Sequence, residues 1–219
     1  LERRFLDTNG VRIVVDAKVV DKGVKLPEER TTSVDTLEAD TLAVLSDLNH
    51  ASQKGLQTIF DCSVGRSTVN HPLGGRYQLT PTEASVQKLP VQHGVTHTAS
   101  VIAQGFNPYV AEWSPYHGAA YAVIEATARL VAAGANWYKA RFSYQEYFER
   151  MDKQAERFGQ PVAALLGSIE AQIQLGLPSI GGKDSMSGTF EELTVPPTLV
   201  AFGVTTADSR KVLSPEFKV

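Results

Sequence analysis

Residues 114 to 134 carry the clearest helix pattern of the chain, SPYHGAAYAVIEATARLVAAG, and any fold has to accommodate a helix of this length. Ser114 is a residue type that caps helix N-termini, and Pro115 stands at the first helical position, where no N–H is required. Gly134 can adopt the left-handed conformation that ends many helices. These signals predict a helix between Ser114 and Gly134.

Two further segments are predicted to be helical. GQPVAALLGSIEAQIQLG is bracketed by Pro161 and Gly176, which are residue types that begin and end helices. TLAVLSDLNHASQKGLQTIFD has leucines at helical spacing, and Gly55 is predicted to interrupt it. These two segments lie on either side of the helix predicted above.

Apolar strands alternate with these helices. THTASVIAQGF predicts a short apolar strand, and PPTLVAFGVTT is a continuous apolar run of the kind found in buried strands. Near the N-terminus, GVRIVVDAKVV alternates apolar and charged residues and predicts an edge strand or a hairpin arm. Interleaved strands and helices indicate the α/β or α+β class.

Charge and cysteine content narrow the range of partners. The chain has 219 residues, 42% of them hydrophobic, and a formal net charge of −3. This slight acidity gives no electrostatic reason to expect nucleic acid or a membrane as a partner. The single cysteine, Cys62, excludes an intrachain disulfide and a multi-cysteine zinc site, so a cytoplasmic location is expected.

The stretch LPSIGGKDSMSGTF, residues 177 to 190, contains the residue types of a phosphate-binding loop. It is not a P-loop, because Asp184 follows the lysine where that motif requires Ser or Thr. Gly181 and Gly182 would let backbone N–H groups approach an anion. Lys183 would supply a positive charge, and Asp184 would hold a magnesium ion. A polar surface turn with solvated charges is the alternative, and composition leaves both interpretations open.

Glu125 is a second candidate, because it lies mid-helix on a face that it shares with the small residues Gly118 and Ala122. Something can pack closely on such a face, and an acid there could ligate a metal. The alternative is an ordinary salt bridge with Arg129, four residues further along the helix. The chain has neither the HExxH spacing of a zinc helix nor a GxSxG elbow.

Several long motifs follow one another in a defined order. They include FDCSVGRSTVNHPLGGRYQLTP, GFNPYVAEWSPYHGAAYAVIEATARLVAAG, RFSYQEYFERM and GLPSIGGKDSMSGTFEELTVPPTLVAFGVTT. Together they resemble phosphoribosylformylglycinamidine synthase of the long, single-chain type, over essentially the whole chain. The resemblance implies a purine-biosynthesis ligase that converts formylglycinamide ribonucleotide, ATP and glutamine to the amidine, ADP, phosphate and glutamate.

The same resemblance implies an α+β fold, a mixed sheet with helices on one face, like the N-terminal domain of aminoimidazole ribonucleotide synthetase. We expect an N-terminal strand and linker over residues 1–40 and the N-terminal-type domain of the second synthetase half over residues 41–207. Residues 208–219 would begin a truncated C-terminal domain. The remaining synthetase domains and the glutaminase domain are the expected partners, so this chain alone is expected to be inactive.

The family's functional residues carry over where the motifs match. Glu125 matches a magnesium-binding glutamate and Asp184 a magnesium-binding aspartate. Arg129 departs from the family, because related enzymes have a further metal ligand, asparagine, at this position, and arginine cannot coordinate a cation. The stretch expected to approach the phosphates of ATP or ADP contains Gly182, Lys183, Ser185 and Ser187.

A second hypothesis makes the chain mainly structural. In it, the sheet of this domain packs against the pseudo-symmetric partner domain, and the nucleotide is non-catalytic or absent. An apolar sheet face without its partner is costly to leave in water. The chain by itself is therefore expected to form a homodimer that mimics the internal pair.

Overall fold

The computed structural model describes residues 2–6, 14–20, 33–60 and 65–218. The α-helices are α1 (Arg3–Leu6), α2 (Leu37–Ser46), α3 (Lys54–Phe60), α4 (Pro108–Trp113), α5 (Pro115–Ala132) and α6 (Ala155–Leu175). The strands are β1 (Thr68–Asn70), β2 (Leu73–Gly74), β3 (Thr80–Pro81), β4 (Ser85–Lys88), β5 (Thr98–Gly105), β6 (Arg141–Tyr147), β7 (Ser179–Lys183), β8 (Thr189–Phe190), β9 (Leu193–Thr194) and β10 (Thr198–Asp208). A short 3-10 helix spans Trp137–Lys139.

Six of the strands form one mixed sheet in the order β1-β4-β5-β10-β6-β7. The last strand in the chain, β10, lies between β5 and β6 and is antiparallel to both. The outer pair, β6 and β7, is parallel. Such a pair needs a crossover connection, and α6 supplies it. The strand predicted from PPTLVAFGVTT is therefore confirmed as a central strand.

One face of this sheet is covered and the other is open. Along β5 and β10, buried residues alternate with half-exposed or exposed ones, because successive side chains point to opposite faces. Helix α5 packs on β5 and β10, and α6 packs along α5. The helices approach closely where Gly167 meets Tyr116, since a Cβ at Gly167 would lie 1.9 Å from the Tyr116 carbonyl oxygen. The predicted α+β class, a mixed sheet with helices on one face, is confirmed.

The helix-end signals act as predicted for α5 and in part for α6. The Ser114 hydroxyl accepts a hydrogen bond from the His117 N–H at 3.4 Å, and Pro115 is the first residue of α5. Gly176 ends α6 in the left-handed conformation, with φ of 67°. Helix α6 begins earlier than predicted, at Ala155, so Pro161 lies inside it at a buried position.

Three local predictions were wrong. The helix predicted over residues 41 to 61 is broken at residues 47–53, before Gly55, which lies inside α3. Residues 14–20, part of the predicted N-terminal strand, form no strand, and the rest of that segment lies outside the described residues. Lys18 instead donates its backbone N–H to Ala155 at 2.8 Å, so tertiary contact with α6 replaces strand pairing. The loop predicted after α6 begins as the strand β7.

The domain boundaries at residues 40 and 207 remain predictions. Within the described part of the chain, residues beyond 207 pack on the α/β core. Leu213 donates its N–H to the Ala133 carbonyl at 3.1 Å, and the Glu216 side chain lies beside Gly75. No helix among the described residues combines the length and the hydropathy needed to cross a lipid bilayer.

Candidate functional site

The GGKDSMSG segment is held against β6 by backbone hydrogen bonds. β7 runs parallel to β6 with Lys183 opposite Gln145. Beyond β7, the Ser185 N–H donates to the Glu146 carbonyl at 3.0 Å, and the Phe148 N–H donates to the Ser185 carbonyl at 2.9 Å. The segment is thus an edge strand followed by a bonded turn, and the hydroxyls of Ser185 and Ser187 lie 3.0 Å apart within that turn.

Glycine is required at position 182 by the close approach of β6. A Cβ at Gly182 would lie 2.7 Å from the Tyr144 carbonyl oxygen and 3.1 Å from the Tyr144 Cβ. The two strands could not keep this separation with any larger residue there. One of the paired glycines of the motif therefore has a packing role, and its phosphate-facing role stays a prediction.

Lys183 and Asp184 are adjacent in sequence but lie on opposite faces of the sheet. The Lys183 ammonium is 5.6 Å from the ring centroid of Tyr147, whose side chain lies on the open face. Asp184 is close enough to Glu146, on the covered face, for its charge to raise the pKa of Glu146. The lysine and the aspartate therefore do not form a single compact cradle on one side of the strand.

Glu125 belongs to an ion-pair network with Arg129. One carboxylate oxygen of Glu125 is 2.8 Å from the Arg129 guanidinium, and the other accepts the Phe106 N–H at 2.8 Å. Arg129 also pairs with Glu83 at 3.0 Å and donates to the Gln104 carbonyl at 3.1 Å. Both oxygens of Glu125 are engaged, and a fixed positive charge stands beside them, which disfavours a metal ion there. The salt-bridge alternative from the sequence is the one that forms.

The two predicted metal ligands lie near the same end of the sheet, but Glu125 belongs to α5 and Asp184 follows β7. One row of paired residues crosses four strands through Gly105, Ala201, Tyr144 and Gly182. Three strand spacings put Gly105 and Gly182 about 14 Å apart. Glu125 contacts the residue after Gly105, and Asp184 lies two residues after Gly182. The structure does not bring Glu125 and Asp184 together around one ion.

A different acid, Glu146, is the neighbour of Asp184. Glu146 is only 7% exposed, and burial followed by the Asp184 charge raises its pKa to about 7. The hydroxyl of Tyr144, two residues earlier on the same face, is buried with no hydrogen-bond partner in the described part of the chain. Sequence reasoning missed Glu146, although the alternation in RFSYQEY places it on the same face as the aromatic core residues.

Two residues of the FDCSVGRSTVNHPLGGRYQLTP motif lie elsewhere, and a third, Cys62, lies outside the described residues. Arg76 stacks 5.6 Å from the Tyr77 ring centroid, and His71 lines a cavity of about 290 Å³ with Tyr77. Across the ranges that the structure describes, no group of three or more histidine, cysteine, aspartate or glutamate side chains is arranged around a metal position.

A cleft of about 440 Å³ with polar and apolar walls opens beside Arg129. Its walls carry amides and hydroxyls, among them Gln57, Thr68, Asn70 and Gln87. The Gln57 side-chain oxygen is buried without a partner among the described residues. This cleft and the acidic pair of Glu146 and Asp184 lie towards opposite edges of the sheet.

Comparison with solved structures identifies proteins of the same fold. T. maritima PurL complexed with ADP is 18% identical to this chain with a TM-score of 0.64, over 92% of this chain and 29% of that one. T. maritima PurL complexed with FGAR is 19% identical with a TM-score of 0.57, over 91% and 28%. Phosphoribosylformylglycinamidine synthase II from Thermotoga maritima is 19% identical with a TM-score of 0.52, over 69% and 23%.

These similarities establish the fold, which is the fold expected from the motifs. The chain spans less than a third of the length of those synthase chains. No protein-family model and no curated protein sequence matches it.

Proposed function

We propose that this chain is the N-terminal-type domain of the second synthetase half of a phosphoribosylformylglycinamidine synthase. The parent would be an ATP-dependent carbon–nitrogen ligase of purine biosynthesis that takes its amido group from glutamine. The observation that carries the proposal is the coincidence of two independent likenesses. The motifs resemble this family over the whole chain, and the fold is shared over 92% of the chain with a PurL that was solved with ADP.

The domain would contribute part of a magnesium–nucleotide site at the end of β7. β7 is the outer strand of the sheet that the structure describes, so N–H groups on its outer edge pair with no other described strand. Lys183 would offer a point charge to a phosphate, and the hydroxyls of Ser185 and Ser187 would offer hydrogen bonds. These side chains would bind and orient the nucleotide rather than react with it.

Of the two expected metal ligands, only Asp184 fits magnesium. Its carboxylate is exposed and makes no hydrogen bond or ion pair within the described part of the chain. Glu125 does not fit, because Arg129 and the Phe106 N–H occupy its oxygens. When bound, magnesium would neutralise phosphate charge, and Asp184 would be the residue that holds it on this chain.

Calorimetric titration with ADP and ATP tests the site. We expect nucleotide binding that requires magnesium and that Asp184→Asn weakens by about tenfold or more, which corresponds to about 1.4 kcal/mol. Asp40→Asn makes the same change on the exposed α2 and should bind as the unmodified chain does. Absence of binding at millimolar nucleotide, or equal binding by the Asp184 variant, would contradict a nucleotide site on this chain.

The synthase reaction is proposed to need the other domains. By resemblance, the family's catalytic histidine and the glutaminase residues belong to domains that residues 1–219 do not include. The chain alone should therefore form no amidine from formylglycinamide ribonucleotide, ATP and ammonia. Detection of that product with the purified chain would contradict this division of roles.

The open sheet face favours the second candidate, a structural half-domain. Ile102 and Val204 are 41% and 36% exposed at the centre of the sheet, with Val200 and Phe202 half-buried beside them. Such an apolar face fits the sheet of a partner domain or of a second copy of this chain. Light scattering at tens of micromolar should show a homodimer that Ile102→Glu separates, whereas a monomeric unmodified chain would refute the self-association.

A further inference from the structure

The carboxylate of Glu146 lacks a partner at a position where one is needed. Its side chain is 7% exposed, and no hydrogen bond or ion pair to it is formed by the described residues. A charged group in such surroundings is costly unless something neutralises it. The small exposed fraction means that the carboxylate can still be reached from solvent.

The charged residue beside Glu146 carries a negative charge. Asp184 lies beside Glu146, because Lys183 before it pairs with Gln145 and the Ser185 N–H after it donates to the Glu146 carbonyl at 3.0 Å. The lysine beside it does not compensate, because the Lys183 ammonium lies over Tyr147 on the other face of the sheet. Glu146 and Asp184 are thus neighbouring acids, and no basic side chain of the described residues pairs with either carboxylate.

Tyr144 supplies a second, independent sign of a missing ligand. Its side chain is 8% exposed, and its hydroxyl is buried with no hydrogen-bond partner among the residues that the structure describes. It lies two residues from Glu146 on the same face of β6. Buried hydroxyls are normally hydrogen-bonded, so a polar ligand or its water shell belongs in this place.

We propose that Glu146 and Asp184 together bind a divalent cation, with Tyr144 hydrogen-bonded to a water of its coordination shell. Magnesium is typically held by one or two carboxylates and retains several waters, which suits a pair of acids better than a closed protein cage. The +2 ion would balance the two carboxylates and supply the partner that the Tyr144 hydroxyl lacks. Glu146 then takes the place that the motifs assign to Glu125.

This inference deepens the proposed nucleotide site, since Asp184 belongs to both, but it rests on the geometry of β6 and β7. The cation site and the nucleotide site can be refuted separately. Cation binding is measured without nucleotide. It is tested with Glu146→Gln, a variant that the ADP titration does not use. A chain that binds the ion through Glu146 but does not bind ADP would keep this inference and contradict the proposed function.

The test is a Mn²⁺ titration of the chelator-treated full chain, followed by the electron paramagnetic resonance signal of the free ion. Thermal shifts with Mg²⁺ provide a second readout. We expect one ion per chain, and losses of affinity of at least about tenfold in Glu146→Gln and in Asp184→Asn, since even residues behind the ligands change affinity by that factor. Glu112→Gln, an exposed carboxylate on α4, should bind as the unmodified chain does.

Three outcomes would overturn the proposal. The first is no Mn²⁺ binding up to about 10 mM, beyond the weakest functional sites, which would leave a carboxyl pair that shares a proton. The second is equal affinity in Glu146→Gln. The third is a loss in Glu125→Gln, which would return the ion to the pair expected from the motifs. Asp184→Asn changes an exposed residue, so the test stays decisive even if the buried variant folds poorly.

Discussion

Glu146→Gln should stabilise the metal-free chain, although it changes a buried residue. In the native structure the pKa of Glu146 rises from its ordinary 4.5 to about 7, through burial and the charge of Asp184. At about 1.4 kcal/mol per pH unit between these two values, ionising Glu146 costs the folded chain about 3 kcal/mol. Glutamine has nearly the same shape and carries no charge, so the variant avoids this cost.

The stability difference between Glu146→Gln and the unmodified chain depends on pH. Between pH 4.5 and 7 the unfolded chain binds fewer protons at this residue than the native chain, so native stability falls as pH rises. Below pH 4.5 both states hold the proton and the cost vanishes. The advantage of glutamine should therefore be near zero at pH 4, grow through the window and level off at about 3 kcal/mol by pH 8.

Urea unfolding in the presence of chelator at pH 4, 6 and 8 measures this difference. Glu112→Gln controls for loss of a carboxylate at an exposed position that makes no ion pair in the described part of the chain, and it should shift stability by less than about 0.5 kcal/mol. A pH-independent difference between Glu146→Gln and the unmodified chain would refute the reasoning. Added Mg²⁺ should narrow the stability difference, because the ion stabilises the unmodified chain more than a variant that binds it about tenfold more weakly.

Three further changes test the packing and the ion-pair network. Phe142→Ala removes a fully buried ring from the core and should cost about 3–5 kcal/mol in urea unfolding. Gly167→Ala should cost at least about 1–3 kcal/mol, because its Cβ would meet the Tyr116 carbonyl oxygen at 1.9 Å. As a control, Gly55→Ala adds a Cβ that meets nothing within 4 Å and should be neutral or stabilise α3. Arg129→Met should cost about 1 kcal/mol at low salt and less in 1 M NaCl, since its ion pairs are partly exposed.

The candidate site shows where motif reasoning stops. The motifs mark Asp184 and Glu125 as equivalent candidates, because each is an acid in a recognisable stretch. Whether an acidic side chain is free to bind a metal ion depends on which residues the fold places beside it. Arg129, one helical turn from Glu125, occupies that carboxylate, while β6 places Glu146 beside Asp184. Contacts between residues far apart in sequence therefore distinguish Asp184 from Glu125 as a candidate ligand.

Local signals in the sequence determined a large part of the fold. Capping residues, proline and glycine at helix ends, and runs of apolar residues act over a few positions, so Ser114, Pro115 and Gly176 mark helix ends without knowledge of the rest of the chain. The apolar runs likewise predicted β5 and β10 as strands. The ordered motifs were sufficient for the class of fold, which the solved structures share.

Only the tertiary structure decided which residues meet. β7 reads as a loop because its glycines and charged residues disfavour a strand, yet pairing with β6 makes it one. That pairing turns Lys183 to the open face, and the turn after it brings Asp184 beside Glu146. The alternation of a strand shows which of its residues share a face, but the neighbouring strand and its register are set by contacts across the whole sheet. For this reason the acidic pair appears only in the folded chain.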